Sequence, residues 1–183
     1  MKTGEILKKF SAKDGRSVVL RTPEWRDLDD LLELINSLVD EKAEIYITEK
    51  FTREDEAEWL TKALSRLEKD EQFFLAAEVD NKVVALSDFQ IKEGDPEQHP
   101  GVLGIIVRNG YRDLGIGTEI MQTMLEQAAS FGFRKVTVNA FATNKRAIHV
   151  YKKVGFIETG IMRNRHFRQG KFIDEVIMTK LIG

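Results

Sequence analysis

The sequence predicts a mixed α+β fold: a mostly antiparallel, twisted central sheet of about seven strands with helices on both faces. Three observations predict it. A buried-strand run at Val102–Val107 passes through a polar, glycine-bearing turn into an amphipathic helix. Two β-type runs before it flank the tight-turn pair Asp80-Asn81. Two more close the chain around Arg168-Gln169-Gly170-Lys171. With the helices between them, the element order is β-α-α-β-β-β-α-β-α-β-β, an antiparallel meander, then a βαβ unit, then a hairpin.

The elements follow in order. Residues 1–16 are mixed and end in the turn-like Lys13-Asp14-Gly15-Arg16, so they read as an N-terminal extension. Ser17–Arg21 is the first strand. Leu28, Leu31, Leu32, Ile35, Leu38 and Val39 form a helical stripe capped near Asp27. A polar connection spans 40–51. Thr52 and Asp55 have capping-box spacing ahead of a helix that buries Ala57, Leu60, Leu64 and Leu67. Strands at 73–79 and 83–91 precede a loop over 92–101. After the central strand, Ile116, Ile120, Met124, Ala128 and Phe131 share one helical face, and Gly132 ends that helix. A strand at 135–140, a short helix at 144–154 and a hairpin of 157–162 with 172–181 complete the chain.

Composition narrows the function. The chain has 183 residues, 42% of them hydrophobic, which suits one domain over 1–183 with a real core. A net charge of -2 supplies no global basic field, so neither nucleic acid nor an anionic membrane is an expected partner. The absence of cysteine excludes disulfides, thiolate metal sites and a cysteine nucleophile. No metal site is expected. No signal peptide and no bilayer-spanning run is evident, and a cytoplasmic location is the expectation.

The turn Arg112-Asp113-Leu114-Gly115-Ile116-Gly117 places backbone N–H groups at a helix N-terminus, a natural phosphate site. It is not a Walker loop, because no Gly-Lys-Ser/Thr follows. It is not the dinucleotide fingerprint, because position 120 is Ile. On the loop alone, glycines for close strand-helix packing read equally well. The loop resembles the Arg/Gln-x-x-Gly-x-Gly/Ala signature of the GNAT acetyltransferase superfamily. A second block, Asn144-Lys145-Arg146-Ala147-Ile148-His149-Val150-Tyr151-Lys152-Lys153-Val154-Gly155-Phe156, resembles that family's Asn-x-x-Ala-x-x-x-Tyr-x-x-x-Gly-Phe. Both signatures stand in the family's order, within its element order, from about residue 17 to the end. The chain is identified as a member of this superfamily. The tail from Arg163 to Met178 is most similar to the ribosomal-protein N-terminal (N-alpha) acetyltransferase branch.

The resemblance implies an acetyl-coenzyme A-dependent N-acetyltransferase. Its acceptor would be a primary amine (a protein N-terminus, a lysine or a polyamine) attacking directly in a ternary complex. Backbone N–H groups of Leu114, Gly115, Ile116, Gly117 and Thr118, with Arg112 and Asp113 in the turn, would hold the pyrophosphate. The main chain of Ile105, Ile106 and Val107 would pair with the pantetheine arm, with the Val107 N–H as oxyanion donor. Asn144 and Ala147 would contact the cofactor, although Asn144 also reads as a helix N-cap. Tyr151 would protonate the leaving thiolate and lie against the cofactor, its other reading being a half-buried aromatic. His149 reads as structural. The branch's usual glutamate position is occupied by Asn139, which cannot act as a base. Candidates left for that role are Asp88, Glu97, His99, Glu44 and Glu49, with positioning alone as another route. Without a base, a non-catalytic acyl-coenzyme A-binding regulatory module is the alternative. A nucleotide-phosphate enzyme is the third reading, and it lacks a P-loop lysine. Glu41, Glu44 and Glu49 would favour a cationic acceptor, and Arg163, Arg165, His166 and Arg168 an acidic one. A homodimer through the final strands is compatible with the fold.

Overall fold

In the computed structural model, residues 1–91 and 102–182 are described. They form eight strands and four helices: β1 (Ile6–Ser11), β2 (Ser17–Arg21), α1 (Leu28–Asp40), α2 (Arg53–Glu68), β3 (Gln72–Val79), β4 (Lys82–Gln90), β5 (Gly104–Val107), α3 (Ile116–Ser130), β6 (Lys135–Phe141), α4 (Lys145–Lys153), β7 (Ile157–Arg168) and β8 (Lys171–Leu181). All pairings between these named strands are antiparallel, where the sequence predicts a mostly antiparallel sheet with a βαβ unit.

The sheet differs from expectation in three ways. Residues 1–16 are not a plain extension, because β1 pairs along β2. The final hairpin is longer than its apolar residues suggest, because β7 continues through Arg163–Arg168 as an edge strand that exposes Arg163, Asn164 and Arg165. The sheet is also divided. One part has the order β1-β2-β3-β4-β5 and the other β6-β8-β7. Among the described residues, one isolated parallel bridge links Val102, just before β5, to Thr137 of β6.

Burial explains the layers. β3 and β4 are buried along almost their whole length, which requires cover on both faces. On one face Leu28, Leu31, Leu34 and Leu38 of α1 cluster with Ala76, Val83 and Leu86. On the other, Ile116, Ile120, Met121 and Met124 of α3 cluster with Leu75, Ala77 and Val84. Adjacent residues on β3 point to opposite faces, so the helices sandwich the sheet. α2 begins as expected, with Thr52 and Asp55 forming a reciprocal capping box. Gly132, at φ +82°, follows the end of α3. No helix among the described residues is long and apolar enough to cross a membrane.

Candidate active site

The separation of β5 from β6 creates the site. Leu103 N–H donates to Thr137 O at 2.9 Å, across the last contact with β6, and Arg108 N–H donates to Val84 O at 2.8 Å, on the β4 side. Alternation along a strand therefore directs the N–H groups of Ile105 and Val107 to the side where β6 has diverged. Those two donors have no strand partner among the described residues.

The turn after β5 lies beside this gap. Gly115 caps α3 at φ +88°, a left-handed conformation that glycine adopts without strain, and no side chain caps the helix. The first helical bond is Glu119 N–H to Gly115 O at 3.1 Å, so the N–H groups of Ile116, Gly117 and Thr118 are left as end donors. A Cβ at Gly117 would meet only Ile105 Cδ1, at 4.0 Å, so the space above it opens into the cleft. Lys13 Nζ donates to Asp113 O at 3.2 Å. A cleft of about 460 Å³ results, lined by Ile105, Ile106, Val107, Arg112, Asp113, Gly115, Gly117, Thr118, Asn144, Ala147 and Tyr151. Of the residues the sequence singles out, Leu114 and Ile116 do not line it. Leu114 is half-buried and Ile116 turns its side chain into the core.

Three side chains do more than the motifs suggest. Arg112 Nε donates to Val107 O at 2.8 Å, and its Nη2 is paired with Glu41 from the connection after α1. Asn144 Oδ1 accepts from Ala147 N–H at 3.0 Å, so the N-cap reading holds while the residue also lines the cleft. Tyr151 is buried, and burial alone pushes its phenol up to about 12. His149 lines the outer cleft and is exposed, so it is not a buried structural residue.

A second cavity, of about 310 Å³, lies on the far side of β5. It shares Glu44, Ile45, Ile105, Ile106, Asn144, Ala147 and Tyr151 with the first, so the two meet there. Its roof is the connection between α1 and α2. Tyr46 donates to Glu175 of β8 at 2.5 Å, and Arg168 donates to Ala43 O and Ile45 O at 3.0 and 3.1 Å. Asn36 holds Phe51 through both backbone groups, each at 2.9 Å. Arg168 is therefore committed to the roof and the His166 ring packs against Phe141 with centroids 4.6 Å apart, while Arg163 and Arg165 stay exposed and pair with Asp174 and Glu175.

Of the base candidates, Asp88 and Glu44 line this second cavity. Burial pushes the Asp88 carboxyl up, and Gln72 Nε2 donates to it at 2.7 Å. A Cβ at Gly104 would come within 3.3 Å of Asp88 Oδ1, so glycine leaves that carboxylate its room. Glu49 is exposed and lines neither cavity. Glu97 and His99 lie outside the described residues. Asn139 also lines the second cavity, with its Oδ1 buried and unpaired among the described residues. Sequence reasoning missed Glu56. It is 3% exposed on α2 and lines the same cavity, and burial alone pushes its carboxyl up to about 7. The available signal was its spacing, since Glu56, Leu60, Ala63 and Leu67 are the buried positions of that helix.

The model of the acetyltransferase (GNAT) family matches residues 31–156. The chain belongs to the GNAT acetyltransferase family. It is an acetyltransferase, and acetyl-coenzyme A is its cosubstrate. YwnH of Bacillus subtilis is 26% identical to it over 162 residues, which cover 88% of this chain and 97% of that protein. The N-alpha-acetyltransferase of Sulfurisphaera tokodaii is 27% identical over 162 residues, covering 84% of this chain and 88% of that protein. The solved ribosomal-protein-S5-alanine acetyltransferase of Vibrio fischeri superposes with a TM-score of 0.81 at 13% identity, covering 96% of this chain and 97% of that one. At that identity the likeness is one of fold.

Proposed function

We propose that this GNAT enzyme holds acetyl-coenzyme A in the cleft between β5 and α3. From there the acetyl group passes directly to a primary amine entering from the second cavity. The observation that carries this reading is the divergence of β5 from β6, which leaves the Ile105 and Val107 N–H groups unpaired beside the end donors of α3. The donors at Ile116, Gly117 and Thr118 suit pyrophosphate oxygens, and the positive end of the helix adds to their effect. The edge of β5 suits the amide groups of the pantetheine arm, bound as an added strand. Arg112 exchanges Glu41 for a phosphate oxygen, and Asn144 and Ala147 flank the arm. A Val107 N–H directed at the thioester carbonyl stabilises the charge that grows on its oxygen.

Tyr151, at the junction of the cavities, is the donor to the leaving sulfur. A phenol near pKa 12 stays protonated throughout the physiological range. Full transfer to a thiolate of ordinary pKa would be uphill by about 5 kcal/mol. Tyr151 therefore supports the sulfur by hydrogen bonding, and the proton that ends on sulfur comes from the attacking amine. No covalent enzyme intermediate is needed, in keeping with a chain that contains no cysteine.

Two measurements test the reading. Titration calorimetry should show coenzyme A binding that Gly117→Trp abolishes. Thiol release from acetyl-coenzyme A should then depend on an added primary amine. Unchanged affinity in the Gly117 variant would overturn the placement of the cosubstrate.

A further inference from the structure

Helix α2 carries a charge where its packing face should be apolar. Its buried positions are Glu56, Leu60, Ala63 and Leu67, and Glu56 is 3% exposed. A carboxylate so enclosed is costly unless something answers it. Among the described residues Glu56 has no hydrogen-bond or ion-pair partner, and burial is the sole influence on its carboxyl. Only its place in the first turn of the helix, near the positive dipole end, offsets the cost. Glu56 lines the second cavity, and so does Asn139, whose Oδ1 is buried and also unpaired. Two acceptors without donors among the described residues thus border one cavity.

The rest of that space defines the guest. Leu31, Leu34, Phe51, Trp59 and Leu86 contribute apolar wall. The charged residues on it are Glu44, Glu56 and Asp88, with no lysine, arginine or histidine among the described lining residues. A guest carrying a carboxylate would meet three like charges. The connection above it is tied down by Tyr46, Arg168 and Asn36, which narrows the space of about 310 Å³ without sealing it. That volume is at the small end of ligand pockets.

We propose that this cavity takes a small primary monoamine with an apolar alkyl or aralkyl body, and that Glu56 receives its ammonium group and then its proton. The inference rests on the placement of acetyl-coenzyme A proposed above. The ammonium gives one proton to the Glu56 carboxylate and becomes a neutral amine. Its nitrogen forms the C–N bond to the acetyl carbon as the C–S bond breaks. The second proton leaves the nitrogen for the sulfur, giving the amide and free coenzyme A thiol. Glu56 then returns its proton to solvent. A carboxyl near pKa 7 is suited to both steps, since it is charged when the ammonium arrives and basic enough to take the proton. The other titratable groups on the wall are Glu44 and Tyr46 from the roof, Asp88 from β4 and Tyr151 from α4.

The test uses the full chain and thiol release from acetyl-coenzyme A with phenethylamine, hexylamine, leucine, spermidine and a peptide with a free N-terminus. Phenethylamine or hexylamine should exceed the other three in kcat/KM by at least about tenfold. Glu56→Gln, which keeps the side-chain shape, should lower that kcat/KM about a hundredfold and leave coenzyme A affinity within twofold. The wild-type profile should rise with a pKa near 7, and the rise should vanish in Glu56→Gln. Preference for leucine, spermidine or the peptide would overturn the proposal, as would an unaffected Glu56→Gln. Coenzyme A binding with no turnover of either monoamine would overturn this inference alone. Failure of coenzyme A to bind would overturn the reading on which it rests.

Discussion

The two cavities that meet at Tyr151 are built from opposite materials. The cleft at α3 holds main-chain donors, strand-edge and helix-end N–H groups beside two glycines, with side chains such as Lys13, Glu41 and Arg112 around them. The cavity behind β5 is walled by side chains from α1, α2, α4, three strands and the connection above them. Main chain is the same in every protein, so a main-chain cleft suits a ligand that does not change. Side chains vary one at a time, so the other cavity can be retuned for a new acceptor while the cleft is left alone. The charges differ as well. The cleft carries lysines and arginines beside its carboxylates and offers a helix end to an anion, whereas the charged residues lining the cavity are Glu44, Glu56 and Asp88 among the described residues.

The largest expected effect separates the two sides by stability. In the native state the Glu56 carboxyl titrates near 7, against 4.5 in an unfolded chain. Between those values the native state holds a proton that the unfolded chain has released, so stability falls as pH rises through the window. By pH 8 the cost is about 3 kcal/mol. Chemical denaturation should show Glu56→Leu gaining that much over wild type at pH 8 and little at pH 4.5, with no such pH dependence for changes in the cleft. A gain that does not change with pH would mean that Glu56 is not a buried charge.

Next is Gly117→Trp, which places an indole in the open space above α3. Calorimetry should find coenzyme A affinity reduced about a hundredfold or more, with the melting temperature nearly unchanged. Tyr151→Phe should lower kcat by roughly ten- to thirtyfold with coenzyme A affinity within twofold. Loss of affinity without loss of turnover would assign Tyr151 to the cleft alone. Gly115→Ala should cost about 1 kcal/mol in denaturation, because its φ of +88° is left-handed. The smallest effect belongs to the roof. Tyr46→Phe removes the bond to Glu175 and should raise the acceptor KM a few-fold without altering coenzyme A binding.

The same division governs what the sequence made legible. The cleft's main-chain donors and its asparagine cap lie in two contiguous stretches, 105–118 and 144–151, and their requirements are local: a glycine that can be left-handed, an uncapped helix start, an asparagine cap. Local requirements leave marks in the order of residues. The second cavity is assembled from residues far apart in the chain, and no spacing announces it. Glu56 shows how narrow the margin was. A buried face at Ala57, Leu60 and Leu64 leaves position 56 on the polar flank. The observed face through Leu60 and Ala63 is turned by about one residue, and it takes the glutamate inside. Strand β1 was hidden for a related reason. Its sequence Ile-Leu-Lys-Lys-Phe-Ser is half exposed and pairs on one side only, so its alternation is faint. Asn139 cannot act as a base, and that is legible from the residue type alone. Its position on the cavity wall could be found only once β6 was placed.

The parting of β5 from β6 also determines which mutations can register. The groups offered at that edge are the amide hydrogens of Ile105 and Val107, and every residue but one carries an amide hydrogen. Swaps among valine, isoleucine and leucine at these two positions, which keep the side chains packed on the core, should therefore look nearly silent in a binding screen. Proline alone should stand out as a null. A tolerance map would then score the innermost wall of the site as unimportant, although it is the wall proposed to hold the cosubstrate.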